Sequence, residues 1–168
     1  MQKIYLLLGI LLLLGLPANA QMAKFKALFL FNFGQNIGWP EKNNSNDFII
    51  TIIGDSDIAD ALGELATSRT IGGNNLVVRE ANSINEVENS HIVFLSDRQS
   101  DSLSQLVSLK RDKPVLIVGD RQGLCRKGAG ITFLMMDGNL TFEICAETIE
   151  EYGLVCSRRL LTLGVDPQ

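Results

Sequence analysis

The chain is short of the residues that carry most enzyme chemistry. Among 168 residues there is one histidine, His91, and there are three cysteines, Cys125, Cys145 and Cys156. A lone histidine cannot build a histidine-rich metal centre, and neither HExxH nor CxxC spacing occurs. A cysteine nucleophile needs a base within reach, and His91, which opens an apolar run, reads as a structural residue capping a strand. No GxGxxG follows the first strand-like run, so a dinucleotide phosphate cradle is missing as well. Catalytic residues, a metal and a cofactor are therefore not expected. Basic clusters are absent and the formal charge is −4, which makes nucleic acid and an anionic membrane surface poor partners. There is no internal repeat, and the one low-complexity stretch, Lys42 to Asp47, reads as a solvated loop.

Long apolar runs are also missing, except at the very beginning. Lys3 precedes Ile4 to Leu16, a run of signal-peptide length that is short for a bilayer span. Pro17 breaks it, and Ala18-Asn19-Ala20 supplies an A-x-A cleavage signal. Residues 1–20 are expected to be a signal peptide cut after Ala20, with an uncleaved anchor as the alternative. Gln21 follows the cut where a lipoprotein would have cysteine. Residues 21–168 are expected to form a single exported, soluble domain, and loss of Lys3 takes the formal charge to −5.

What the chain does have is alternating helix and strand signals. Lys24 to Pro40 reads as a helix ending at a Trp-Pro corner. Phe25, Phe29, Phe33 and Ile37 recur every four residues, while Leu28, Leu30 and Phe31 spread apolar surface round most of the helix. Such a helix is either core or shared between a core and another protein. Pro40 biases Trp39 out of helical backbone. Phe48 to Ile53 reads as a buried strand of a parallel sheet. Asp55-Ser56-Asp57 caps a helix running to about Ala66. Leu76 to Arg79, His91 to Leu95 and Pro114 to Val118 read as further strands, with a short helix near Ile84 and Val87 and a longer one over Ser100 to Lys110. Asp137-Gly138 sits between Ile131–Met136 and Asn139–Ile144, a strong hairpin signal. Ala146 to Tyr152, stopped by Gly153, and Leu154 to Leu163 read as closing helices. The fold class is α/β: a three-layer sandwich with a mixed sheet of about six strands, a C-terminal β-hairpin and terminal helices.

In order along the chain, Lys26 to Phe33 with Trp39-Pro40, Ile53-Gly54-Asp55, Arg69-Thr70-Ile71, Val77-Val78-Arg79 and His91 to Ser96 resemble the YfiR-like family of periplasmic proteins. So do Pro114 to Asp120, Gly123, Gly130 to Phe133, Phe142-Glu143-Ile144, Gly153-Leu154, Ser157 and Leu160-Leu161. The resemblance implies a periplasmic, non-enzymatic regulator that binds the periplasmic domain of a membrane signalling protein, a diguanylate cyclase or a sensor kinase, and represses it. It also implies sequestration by an outer-membrane lipoprotein, a rise in cyclic-di-GMP and biofilm on release, and a homodimer. The family often has cysteine just before the histidine of the third strand; here Ser90 stands there, so a disulfide anchored at that point is absent.

Several residues remain as candidates. In an oxidising compartment three cysteines suggest one disulfide and one free thiol. Cys125 with Cys145 and Cys145 with Cys156 both fit, and so does a fully reduced set. Partner contact is placed on Phe133, Glu143 and Ile149, because Glu143 should face opposite to Phe142 and Ile144. Core positions for Phe133 and Ile149 fit the same pattern. Arg158 and Arg159, early in the last helix, are candidates for an anionic ligand such as a nucleotide or the carboxylate of an amino acid; Arg69, Arg79, Arg121, Arg126 and Lys127 are the other cations. That ligand would make the protein a small-molecule sensor domain. Asp55 and Asp120 follow strand ends, where open α/β sheets bind ligands, and give a third reading as a hydrolase. Helix capping explains Asp55 and a turn explains Asp120, and that structural reading is the preferred one.

Overall fold

The computed structural model describes residues 18–40, 46–111 and 113–167. Residues 1–17 of the expected signal peptide, and most of the loop expected over 42–47, lie outside them. The chain opens with helix α1 (Ala18–Asn36) and strands β1 (Ile37–Gly38) and β2 (Asp47–Ile53). Helix α2 (Ser56–Ala66), β3 (Thr70–Ile71), β4 (Asn74–Ala81) and β5 (Ile92–Leu95) follow. Then come α3 (Leu103–Lys110), β6 (Leu116–Gly119), and the hairpin of β7 (Ile131–Met136) and β8 (Asn139–Ile144). Helix α4 (Ala146–Glu151), β9 (Val155–Cys156) and α5 (Arg158–Leu163) close the chain.

The main sheet has seven strands in the order β3-β4-β2-β5-β6-β7-β8. The expected six are joined by β3, a two-residue strand. The run β4-β2-β5-β6-β7 is parallel and both edges are antiparallel, so the sheet is mixed. Strand β4 lies on one side of β2 and β5 on the other. The connections therefore run in opposite directions and place α2 and α3 on opposite faces, which gives three layers. The central strands β5 and β6 are buried at every position, as expected of strands covered on both sides. At the β7–β8 turn Asp137 and Gly138 have φ of 51° and 77°, the backbone that an Asp-Gly pair accepts readily.

Helix α1 packs against α2 and runs antiparallel to the parallel strands, with Lys26 near their carboxyl ends and Trp39 near the start of β2. Its buried face is Ala23, Ala27, Leu30, Phe31 and Phe33, not the expected four-residue stripe. Along that stripe burial is graded: Phe25 is 48% exposed, Phe29 is half-buried and Phe33 is fully buried. Gly34 permits the close approach of α1 to β3, because a Cβ there would sit 2.8 Å from Ile71 Cδ1. The Trp39 indole Nε1 donates to Gly34 O at 3.1 Å and ties off the helix before Pro40. The final helix is shorter than expected. Val155 and Cys156 pair with Gly38 and Ile37, and Ser157 caps α5 by accepting from the Leu160 N–H at 3.2 Å.

Candidate functional site

Three regions gather the polar and aromatic residues that could meet another molecule. The first lies at the carboxyl ends of the strands, where β2 gives way to α2. Asp55 caps α2, accepting from the Ile58 N–H at 3.2 Å. Asp120 accepts from Lys26 Nζ at 2.7 Å, and the two side chains are only 14% and 16% exposed. Burial raises the Asp120 pKa above its ordinary value, Lys26 opposes the shift, and Asp55 and Asp97 add to it. Lys26, Asp55, Asp57, Glu80 and Arg98 line a crevice of about 670 Å³. Both carboxylates named from the sequence therefore have structural partners. The partner of Asp120 is a lysine that no local motif signals, since it lies 94 residues away.

The second region is at the amino end of the sheet. Phe48 stacks on His91 with ring centroids 4.4 Å apart, and Trp39 stands edge-on to both. His91 Nδ1 accepts the Ile49 N–H at 3.0 Å, so the ring bridges the start of β5 to β2, as its reading as a strand-capping residue expects. These rings, with Gln35, Asp47, Asn74 and Arg79, line a cavity of about 930 Å³. Arg79 also donates to Glu88 O at 3.3 Å.

The third region is the side of the molecule formed by α1, the β7–β8 hairpin and α5. The rings of Phe29 and Phe33 pack against Phe133 and Phe142, at centroid distances of 4.9 to 5.9 Å. Phe133 is therefore core at 2% exposure, beneath α1 rather than on the surface. Ile149 is fully buried, with its side chain against Gly130. Glu143 does face away from Phe142 and Ile144, opposite Thr132, but it is only 2% exposed. Alternation gave the correct face; that face is covered too. The outer edge of β8 is closed at this point by the C-terminal tail: the Val165 N–H donates to Phe142 O at 2.9 Å, and the Ile144 N–H to Val165 O at 3.1 Å. The exposure that a contact surface needs is thus missing at all three expected residues.

The exposed apolar groups lie beside them. Met135 is 54% exposed and Met136 39%, at the hairpin tip; Leu161 is 39% and Leu163 61% exposed, on α5. Arg158 and Arg159 are exposed at the start of α5, and Arg159 lines a groove of about 450 Å³ between α1 and α5, with Phe29, Asn32, Phe142 and Leu163. The structure joins Cys125 to Cys145, with Cα atoms 5.8 Å apart, and leaves Cys156 as a half-buried thiol. Burial, helped by Glu150, pushes the pKa of that thiol up to about 11. Among the described residues no helix is long and apolar enough to cross a membrane, and no cluster of three metal-ligating side chains occurs.

No protein of curated function matches the chain. The family model described as YfiR/HmsC-like matches residues 23–165, which runs from the first turns of α1 to the tail that closes β8. The chain belongs to the YfiR/HmsC-like family.

Proposed function

We propose that the protein is an exported regulator, that it binds the periplasmic domain of a membrane signalling protein, a diguanylate cyclase or a sensor kinase, and that it represses it. Family membership over residues 23–165 carries this reading. The surface that supports it is apolar and adjoins the edge strand β8: Met135 and Met136 on the hairpin, Leu161 and Leu163 on α5, with Arg158 and Arg159 as a charged rim. Methionine side chains adapt to the partner surface, and an apolar centre with a polar rim is the usual anatomy of such contacts. An outer-membrane lipoprotein competing for the same surface would release the target.

The test is crosslinking of the tagged protein in its own cell envelope, followed by mass spectrometry. Capture of a membrane cyclase or sensor kinase, lost in a folded Met135→Glu, Met136→Glu variant, is the expected result. Self-crosslinks alone, under conditions that capture a control pair, would overturn the reading.

One observation favours a second reading, a sensor for a nucleotide or an amino acid. The cavity of about 930 Å³ at the amino end of the sheet offers a half-buried indole, a guanidinium and several amides. Arg158 and Arg159 do not line it, so Arg79 becomes the cation of interest. A thermal-shift screen should then find a ligand whose stabilisation is lost in Arg79→Ala.

A further inference from the structure

The sulfur atoms of this chain are divided unevenly between interior and surface. Of its four methionines, Met1 lies outside the described residues, Met22 is half-buried on α1, and Met135 and Met136 stand exposed at the end of β7. Among the described residues, none of the buried core side chains is methionine. Along β7, Ile131, Thr132 and Phe133 are buried, Leu134 is half-buried, and the two methionines follow. Met135 faces Leu140 and Met136 faces Asn139 across the hairpin, so the two thioethers cover opposite faces of its tip. The cysteine sulfurs are less available. Cys125 and Cys145 are already joined, and Cys156 is half-buried with its thiol pushed up to about 11, which leaves little thiolate near neutrality. Among the described residues the sulfurs most open to solvent are therefore those of Met135 and Met136.

We propose that Met135 and Met136 are an oxidant-sensitive modification site, and that their conversion to methionine sulfoxide switches off the contact made by the hairpin tip. The switching rests on the proposed partner surface; the site itself does not. Sulfur gives an electron pair to the oxidant, an S–O bond forms, and the O–O bond of a peroxide breaks with loss of water. Hypochlorous acid gives the same sulfoxide with loss of chloride and a proton. In both cases sulfur loses two electrons and the oxidant gains them. The new oxygen is a strong hydrogen-bond acceptor. Burying it against an apolar partner without a donor costs about 10-fold or more in affinity for each sulfur. The fold itself keeps its packing, because the tip lies beyond Phe133 and Phe142, whose rings are held against Phe29 and Phe33 of α1. An oxidised regulator therefore stays folded and releases its target. Methionine sulfoxide reductases, one for each sulfoxide epimer, reverse the step, so the site works as a switch rather than as a lesion.

Hydrogen peroxide and, separately, hypochlorite are added to the mature protein, and the modified residues are mapped by peptide mass spectrometry. One added oxygen at Met135 and at Met136, ahead of Met22, is expected, with an unchanged melting curve and earlier elution from a phenyl column. Reaction with both oxidants, or with hypochlorite alone, supports the site and names the oxidant. Crosslinking in the cell envelope is then repeated with the oxidised protein. Capture of the membrane partner should fall about 10-fold or more and return after treatment with both reductases. A Met135→Leu, Met136→Leu protein, whatever its own level of capture, should show no change on oxidation, which separates the hairpin from effects at Met22 or Cys156. Oxidation that begins at Met22, unchanged phenyl retention, or undiminished capture with both sulfurs oxidised overturns the inference and leaves the proposed repression standing. No capture by the untreated protein overturns the repression instead, and the site is then decided by the mapping and the retention.

Discussion

The ion pair between Lys26 and Asp120 gives a prediction whose size and sign both follow from its surroundings. Lys26→Met keeps the length and the apolar stem of the side chain but removes its charge. Asp120 is then left as a carboxylate only 14% exposed, with Asp55 and Asp97 as its charged neighbours. Removing one partner of a fully buried pair costs about 3–5 kcal/mol, and the slight exposure here lowers the expectation to about 2–3 kcal/mol at neutral pH. For a domain of this size that corresponds to a fall in Tm of about 4–12 °C. The loss must depend on pH. The folded-state pKa of Asp120 is already raised above 3.8, and losing Lys26 raises it further. A folded state that holds its proton more tightly than the unfolded chain gains stability as pH falls from its raised pKa towards 3.8. The slope reaches at most about 1.4 kcal/mol per pH unit. Urea titrations followed by circular dichroism, at neutral pH and in mild acid, read this directly. The deficit of the variant should shrink on acidification, and adding Asp120→Asn should recover much of it at neutral pH. A deficit of the same size at both pH values, or none at neutral pH, would refute the reasoning.

Three further outcomes follow from the described contacts. The Cys125–Cys145 disulfide closes a loop with a sequence separation of 20 residues, so Cys145→Ser should cost about 3 kcal/mol and abolish the effect of reductant on the melting curve. Cys156 has a thiol pKa of about 11, so alkylation of the native protein should be slow near neutrality and accelerate about tenfold per pH unit until that value is approached; pH-independent labelling would contradict the assignment. Gly138→Val forces a β-branched residue to a φ of 77° and should cost about 1–3 kcal/mol by thermal melting, whereas Asn139→Val, next to it in β8, should cost little.

What could be read from the sequence was local. The Asp55 cap, the Asp-Gly hairpin and the continuous apolar strands each carry their physics within a few residues, and all three form where expected. The last helix begins at Arg158 rather than at the expected Leu154, because Val155 and Cys156 pair with a distant strand, Ile37–Gly38, that no local pattern signals. Burial on the second face of the sheet was likewise illegible at Glu143. A charged residue between two apolar ones reads as solvent-facing in any half-covered strand, and only the tertiary cover removes it from water. The Lys26–Asp120 pair left no sequence signal at all. Lysine on a helix and aspartate after a strand are both ordinary, and their meeting depends on the antiparallel path of α1 over the sheet.

That path gives α1 a particular place in the molecule. Its inner face is fixed by Ala27, Leu30 and Phe33, none of which reaches solvent, and by the largely buried Lys26–Asp120 ion pair. Its side face supplies Phe29, which touches both Phe133 of β7 and Phe142 of β8. Its outer face carries Phe25 and Leu28. The aromatic contacts therefore link α1 to the hairpin that bears Met135 and Met136 through a single packed layer. A shift of α1 along its axis would move Phe29 against both rings, and close-packed rings resist gradual displacement.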